Sequence, residues 1–333
     1  MSKKHIYIYS PSGAVRDKAA FKRGIARLSQ LGHEVEVDET ALASHQRFAG
    51  DDDTRLAAIH RACASGADVA MITRGGYGLT RILPGINYKA VAKAIDQEMS
   101  FVGISDFTAF QSAVYAKTER ITWAGPALCE GFGVGGKPKP GIDLKKQVLV
   151  PDDIMEACFD DLIFGQGEGT GWRQDREPIT NATNSEAGQA RPVSARSSFS
   201  VKQSTLWGGN LTVLTSLLGT PYFPDVKGGL LFLEDIAEHP YRIERMLTQL
   251  LHAGVLARQK AIILGQFTDY KLVPHDRGFK LATVIDWLRH QLKIPVLTNL
   301  PYGHVATKVL LPVGASCELA VEERDVMLVW GHQ

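Results

Sequence analysis

Residues 101–108 read Phe-Val-Gly-Ile-Ser-Asp-Phe-Thr, and residues 68–78 read Asp-Val-Ala-Met-Ile-Thr-Arg-Gly-Gly-Tyr-Gly. In each, a short apolar run ends on a turn that contains glycine. Phe101 and Val102 form a short strand, and a helical pattern follows over Asp106–Ala116. Asp68–Thr73 form a buried strand broken by Gly75-Gly76, and Tyr88–Gln97 are helical. Toward the N-terminus, His5–Tyr9 is a β-rich run ended by Ser10-Pro11-Ser12-Gly13. A helical pattern over 17–31 carries Phe21, Ile25 and Leu28 at core spacing, and Gly32 closes it. His33–Val37 alternates as a strand, and Asp51–Ala64 is a helix with aspartates at its positive end. Strands and helices alternate in this way when helices cover a parallel sheet. The expected fold is α/β, with an N-terminal Rossmann-like parallel sheet flanked by helices.

The pattern changes after residue 133. Gly133–Gly141 is rich in Gly, Lys and Pro and reads as a linker. Gly165, Gly167, Gly169 and Gly171 are followed by a polar run, so 174–200 is expected to be a mobile surface loop. Regular structure is expected again from Thr205. Leu231-Phe232-Leu233 and Ala261–Leu264 read as buried strands. Pro240 opens an amphipathic helix that Gly254 closes, and Leu281, Val284, Ile285 and Leu288 mark another. Ile294–Leu297 and Val309–Val313 read as strands, and Cys317–Val321 and Val326–Trp330 as two more joined by a tight turn. The expected division is a domain over 1–136, a linker over 137–165 and a mixed, strand-rich C-terminal domain over 166–333.

Composition narrows the function. The 333 residues are 44% apolar and 22% charged, ordinary for a globular protein of one large or two moderate domains. Thirty-seven basic residues against 36 acidic ones give a net charge of +1, which argues against a nucleic-acid binder or a polybasic membrane anchor. No run approaches the ~18 apolar residues of a membrane span, and the N-terminus reads as a strand, not a signal peptide. Cys63, Cys129, Cys158 and Cys317 are too scattered for a zinc ribbon or a disulfide framework, which suits a reducing compartment. His33-Glu34 lacks the second histidine of a His-Glu-x-x-His metal site.

Four segments carry chemistry. Ser105 stands at a strand-to-helix turn, where its hydroxyl can clear the sheet and the Asp106 N–H can face whatever is attached to it. The elbow pattern would place a second glycine at Phe107, and the alternative reading of Ser105 is a helix N-cap. The Gly75–Gly78 turn offers N–H donors, Gly76 among them, or is an ordinary turn; Arg74 and Arg81 could hold a carboxylate or pair on the surface. Glu234 ends a buried strand, where it could orient a histidine or make a structural ion pair. Asp235 reads as a cap or turn residue, and Glu238 as a charge near a helix N-terminus. His304 lies in a Pro/Gly loop, placed either to shuttle protons or simply solvated. The order Ser105, Glu234, His304 is that of nucleophile, acid and base in many α/β hydrolases.

Taken together, Arg74–Gly78 with Arg81, Gly103–Thr108, Leu206–Leu211, Leu233–Asp235 through Pro240–Arg242, and Gly303-His304 resemble the signature blocks of the LD-carboxypeptidase family, in family order. Ile104 occupies a variable place of the family's serine block, and the 165–200 segment looks expanded. The resemblance implies a serine peptidase with the triad Ser105, Glu234 and His304, and an oxyanion held by the N–H groups of Asp106 and Gly76. It further implies Tyr77, Arg74 and Asn210 at the substrate, no metal or cofactor, and a cytoplasmic homodimer. The substrate would be a muropeptide of peptidoglycan recycling, cut between meso-diaminopimelate or L-lysine and its terminal D-alanine. Two alternatives stand beside it: a microcin-C-immunity-like peptidase cutting an aminoacyl-nucleotide amide, and a non-catalytic peptide- or sugar-binding module.

Overall fold

The computed structural model of the protein describes residues 3–135, 150–175 and 198–331. In chain order the elements are β1 (His5–Tyr9), α1 (Lys18–Gln30), β2 (Glu34–Val37), α2 (Asp52–Ala64), β3 (Val69–Ile72), α3 (Leu79–Ile82), α4 (Tyr88–Asp96), β4 (Ser100–Gly103), α5 (Thr108–Thr118), β5 (Thr122–Ala124) and α6 (Asp153–Ile163). There follow β6 (Gly169–Arg173), β7 (Ser198–Asn210), α7 (Leu211–Ser216), β8 (Leu230–Ile236), α8 (Pro240–His252), β9 (Ala261–Thr268), α9 (Leu281–Gln291), β10 (Val296–Leu297), β11 (Leu311–Val313), β12 (Ser316–Glu322) and β13 (Asp325–Val329). They fall into two compact units. The first is drawn from Met1–Gly167, Ser216–Asp225 and Val305–Gly314; the second from Glu168–Thr215, Val226–His304 and Ala315–Gln333. Among the described residues no helix is long and apolar enough to cross a membrane.

The first unit holds a six-stranded sheet in the order β11-β5-β4-β3-β1-β2, parallel except where β11 joins β5. Apart from His5 and Ser100 at their first positions, the inner strands β1, β3 and β4 are apolar and buried, as strands covered on both faces are. Side-chain caps start α1 and α2: Asp17 accepts from the Ala20 N–H and Asp51 from the Thr54 N–H, each at 2.8 Å. At the carboxyl end of β2, Asp38 accepts from the Tyr7 hydroxyl and a two-pronged Arg61.

The second unit holds a seven-stranded sheet in the order β10-β9-β8-β7-β12-β13-β6. The long β7 joins its two parts, because residues 198–205 run antiparallel to β12 and Leu206–Asn210 parallel to β8. Gly208 makes that join possible. A Cβ there would lie 1.9 Å from the Phe232 carbonyl oxygen, so only glycine fits. β12 and β13 alternate buried and exposed residues, the pattern of a sheet with one wet face.

The mixed α/β architecture agrees with the sequence expectation; several boundaries do not. The span expected as a linker, 137–165, contains helix α6, started by Asp152, which accepts from the Ile154 and Met155 N–H groups. The spaced glycines form strand β6, which pairs with β13. Strand β7 begins at Ser198 and not at Thr205, because β12 pairs with the whole first half of β7. The rest of the expected loop, 176–197, lies outside the described residues, as do 136–149 of the Gly/Pro-rich stretch. Two stretches of the expected C-terminal domain, Ser216–Asp225 and Val305–Gly314, belong to the first unit.

Candidate active site

Ser105 follows β4 and has φ +66°, in the left-handed region that non-glycine residues seldom enter. Such a conformation costs of order 1–3 kcal/mol and persists only when its surroundings hold it. Ser105 begins a short 3₁₀ turn, Ser105–Phe107, and neither that turn nor α5 starts with a side-chain capping bond. The N-cap alternative is therefore not what the structure shows. The glycine expected after the serine is not needed, because the close approach falls before it. A Cβ on Gly103 would meet the Phe107 ring at 2.5 Å, and Phe107 itself is buried and stacked on Phe110.

The turn after β3 packs against this serine, and Gly75 makes the contact. A Cβ on Gly75 would lie 2.6 Å from the Ser105 Cβ and 2.8 Å from its Oγ. Gly76 follows at φ +123°. The Gly13 N–H donates to the Gly75 carbonyl at 3.3 Å. The Arg74 guanidinium lies over Gly13 and Gly76, since a Cβ on either would come within 3 Å of its Nη1. Burial pulls the Arg74 guanidinium below its usual range, and the Glu130 carboxylate at 3.9 Å opposes that shift. Tyr77 is half exposed, with Phe48 and Arg47 against its ring. Arg81 is committed to Asp52 at 3.0 Å, the surface-pair alternative.

In the second unit Glu234 lies near the end of β8 and is fully buried. The pairing of β8 with β9 slips between Leu233 and Asp235, a bulge centred on Glu234. Asn210, at the end of β7, donates from Nδ2 to Glu234 Oε1 at 3.1 Å and to Asp235 Oδ1 at 3.0 Å. Its Oδ1 accepts from the Val213 N–H. Asn210 was expected at the substrate. The structure buries it and commits its amide to the two carboxylates. Asp235 also accepts from the Thr212 N–H and hydroxyl, as a cap of α7 does. Glu238 pairs with Arg242 one turn along, at 3.6 Å.

The loop bearing His304 docks on the end of β9. The Leu300 N–H donates to the Leu264 carbonyl, and the Gln266 N–H to the Tyr302 carbonyl at 2.9 Å. Gly265 makes the approach possible, because a Cβ there would fall 2.5 Å from the Tyr302 oxygen and 3.5 Å from the Glu234 Cβ. Burial, reinforced by the neighbouring Glu234 charge, pushes the Tyr302 hydroxyl well above its usual range. Gly265 and the bulge escaped the sequence reading; the only signal was a glycine inside an apolar run. Ser105 thus belongs to the first unit, and Glu234 and His304 to the second. Among the described residues no three His, Cys, Asp or Glu side chains are grouped to hold a metal ion.

Known proteins resemble this chain along most of its length. Residues 6–125 match the LD-carboxypeptidase N-terminal domain, and residues 203–319 the LD-carboxypeptidase C-terminal domain. A probable murein peptide carboxypeptidase of Bacillus subtilis is 29% identical over 308 residues, covering 91% of this chain and 85% of the relative. The crystal structure of muramoyltetrapeptide carboxypeptidase from Oxalobacter formigenes superposes with a TM-score of 0.78 at 34% identity, over 98% of each chain. The microcin C7 self-immunity protein of Escherichia coli is 25% identical over 78% of this chain and 72% of its own length. With both domain profiles in place and a solved relative aligned along nearly its whole length, the chain belongs to the LD-carboxypeptidase family of peptidases.

Proposed function

We propose that this peptidase is a serine-type LD-carboxypeptidase that removes the terminal D-alanine from murein tetrapeptides in peptidoglycan recycling. The observation that carries the reading is Ser105: a serine at φ +66° after a parallel strand, with no capping bond and with Gly75 against its side chain. The murein-directed names of relatives at 29% and 34% identity support the substrate class. In this reading His304 removes the Ser105 proton and Ser105 attacks the carbonyl of the amide between meso-diaminopimelate, or L-lysine, and D-alanine. The N–H groups of Asp106 and Gly76 hold the oxyanion, each donor worth about 3–4 kcal/mol. Glu234, itself held by Asn210, fixes the imidazole tautomer. His304 then protonates the departing amine, and water, activated by the same histidine, clears the acyl-enzyme. The route uses only these side chains, backbone donors and water. Arg74, leaning over Gly13 and Gly76, is the candidate for the free carboxylate of D-alanine, and Tyr77 flanks it in sequence. The reading carries with it a cytoplasmic homodimer, which rests on the family resemblance alone.

The test is incubation with purified tetrapeptide and mass detection of tripeptide plus D-alanine. A matched set ending in D-alanine, L-alanine, D-alanine amide and D-alanyl-D-alanine is run beside it. Cleavage of the first alone supports the reading, and equal rates across the set refute it. An aminoacyl-nucleotide amide cut faster than the tetrapeptide would favour the chemistry of the microcin relative instead.

A further inference from the structure

Three turns at the carboxyl ends of adjacent parallel strands meet around Ser105: residues 10–13 after β1, 73–78 after β3, and 104–107 after β4. Two buried charged side chains tie them together. The Asp106 carboxylate, on the β4 turn, accepts through the same oxygen from the Ser12 hydroxyl and from the Leu79 N–H at 3.0 Å. The Arg55 guanidinium, from α2, donates through one nitrogen to the Gly78 carbonyl at 2.9 Å and the Pro11 carbonyl at 3.3 Å. Its other terminal nitrogen is held by Asp52. The β1 and β3 turns are thus each gripped twice, once by an anion and once by a cation. Gly78 is the residue this requires: it lies at φ +136°, and a Cβ there would meet Arg55 Nη1 at 2.6 Å. Asp106, Arg55 and Ser12 are almost wholly shielded from solvent.

Stability alone is a poor reason to bury these groups. Taking a carboxylate or a guanidinium out of water costs several kcal/mol, and apolar side chains of similar volume often stabilise a fold as well or better. Burial pushes the Asp106 carboxyl upward, against the Ser12 and Leu79 donors and the charges of Arg55 and Arg74. What the ionic arrangement supplies, and an apolar one does not, is direction. The bonds to the Gly78 carbonyl and the Leu79 N–H fix the far end of the turn that carries Gly75 and Gly76, the turn packed on Ser105, and the bonds to Ser12 and Pro11 tie it to the β1 turn.

We infer that Ser12, Arg55 and Asp106 are positioning residues, which clamp the Gly75–Gly78 turn against Ser105 and so set the geometry in which the serine reacts. This inference rests on the reading of Ser105 as nucleophile. The test compares Ser12→Ala and Asp106→Asn with the wild type and with Ser105→Ala, using tetrapeptide turnover per folded site, thermal unfolding, and the rate of labelling by a fluorophosphonate, which captures an activated serine whatever its natural substrate. The expected result is a kcat lowered about 10- to 100-fold with KM within about threefold, since a displacement near 1 Å at the reacting atoms is worth about that much. Labelling should slow in parallel. Ser12→Ala, the milder change, keeps the test open if Asp106→Asn does not fold. The double variant should cost little more than the worse single one, because both changes act on the Ser12–Asp106 bond, Ser12→Ala by removing its donor and Asp106→Asn by removing the charge that donor meets. A kcat and labelling rate per folded site within threefold of wild type in Ser12→Ala would overturn the clamp. Turnover and labelling that survive in Ser105→Ala would overturn the nucleophile reading instead.

Discussion

Gly75→Ala isolates the contact on which the candidate site depends. The backbone at Gly75 lies outside the left-handed region, so alanine meets no conformational penalty there. The added methyl, however, would sit 2.6 Å from the Ser105 Cβ and 2.8 Å from its Oγ, against an ordinary carbon–carbon contact of about 3.5–4.0 Å. Either the turn or the serine must yield by about 1 Å. Over-packing of this kind costs about 1–3 kcal/mol, and the stiffer unfolded chain returns about 0.4–1 kcal/mol, so the net loss of stability is modest. The catalytic loss is larger. Displacement of a reacting atom by about 1 Å costs about 100-fold, equivalent to about 2.7 kcal/mol of barrier. Gly167→Ala is the control, because its Cβ would meet the Asp161 Cβ at an ordinary 3.4 Å. Release of D-alanine and thermal unfolding are measured for both variants. If Gly75→Ala retains wild-type kcat with an unchanged Tm, the turn is not seated on Ser105 and the reasoning fails.

Glu234→Gln should lower kcat by about 10²–10⁴-fold, as a neutral amide cannot stabilise an imidazolium, while Glu238→Gln, whose charge meets only its helix and Arg242, should stay within threefold; steady-state kinetics that reversed the two would reassign the acid. Arg61, Thr40 and Tyr7 hold the Asp38 carboxyl at about 2 against burial, so the stability this supplies is full above pH 4 and lost as pH falls toward 2. It amounts to at most about 2 kcal/mol, and urea midpoints that fall equally steeply with acid in Asp38→Asn would contradict the assignment. A fragment ending at residue 167 lacks β11 and Tyr222, leaving the buried edge of β5 unpaired and Tyr88 unstacked, so it should aggregate or melt without cooperativity; a sharp native-like transition would refute this.

Much of this fold could be read from periodicity. The apolar runs at 6–9, 69–72 and 230–233 read as buried strands, and α1, α2, α4 and α8, with a capping Asp or Asn or an opening Pro, show in the sequence, whereas α6, capped by Asp152, lies in a span that reads as a linker. Non-local pairing left weaker traces. β6 carries two glycines and one tryptophan, and it is a strand because β13 lies beside it. β11 returns to the first sheet from 187 residues beyond β5 (311 against 124), which no local pattern can announce. At the site, the strand–Ser–helix order around Ser105 was legible, while its positive φ and its contact with Gly75 were not. Asn210 was read as a ligand for substrate because its neighbours are family-like. Its partners, Glu234 and Asp235, are 24 and 25 residues away, and only the parallel alignment of β7 with β8 brings them together.

The two units arrive at rigid chemistry by the same geometric rule and different physical means. Adjacent parallel strands end side by side, about 4.8 Å apart, so a side chain on one turn reaches the backbone of the next. In the first sheet β1, β3 and β4 bring Ser12, Gly75 and Ser105 together, and tight steric contact holds the serine in its strained backbone conformation. In the second, β7, β8 and β9 bring Asn210, Glu234 and Gly265 together, and the Glu234 carboxylate is held by a buried amide across a bulge. Strain suits a nucleophile, which must project its oxygen free of its own helix. A hydrogen-bonded burial suits a carboxylate, whose charge is worth most where water is excluded but must then have a donor. In the second sheet a single added carbon at Gly208 would prise β7 from β8, and one at Gly265 would push the loop bearing His304 off β9.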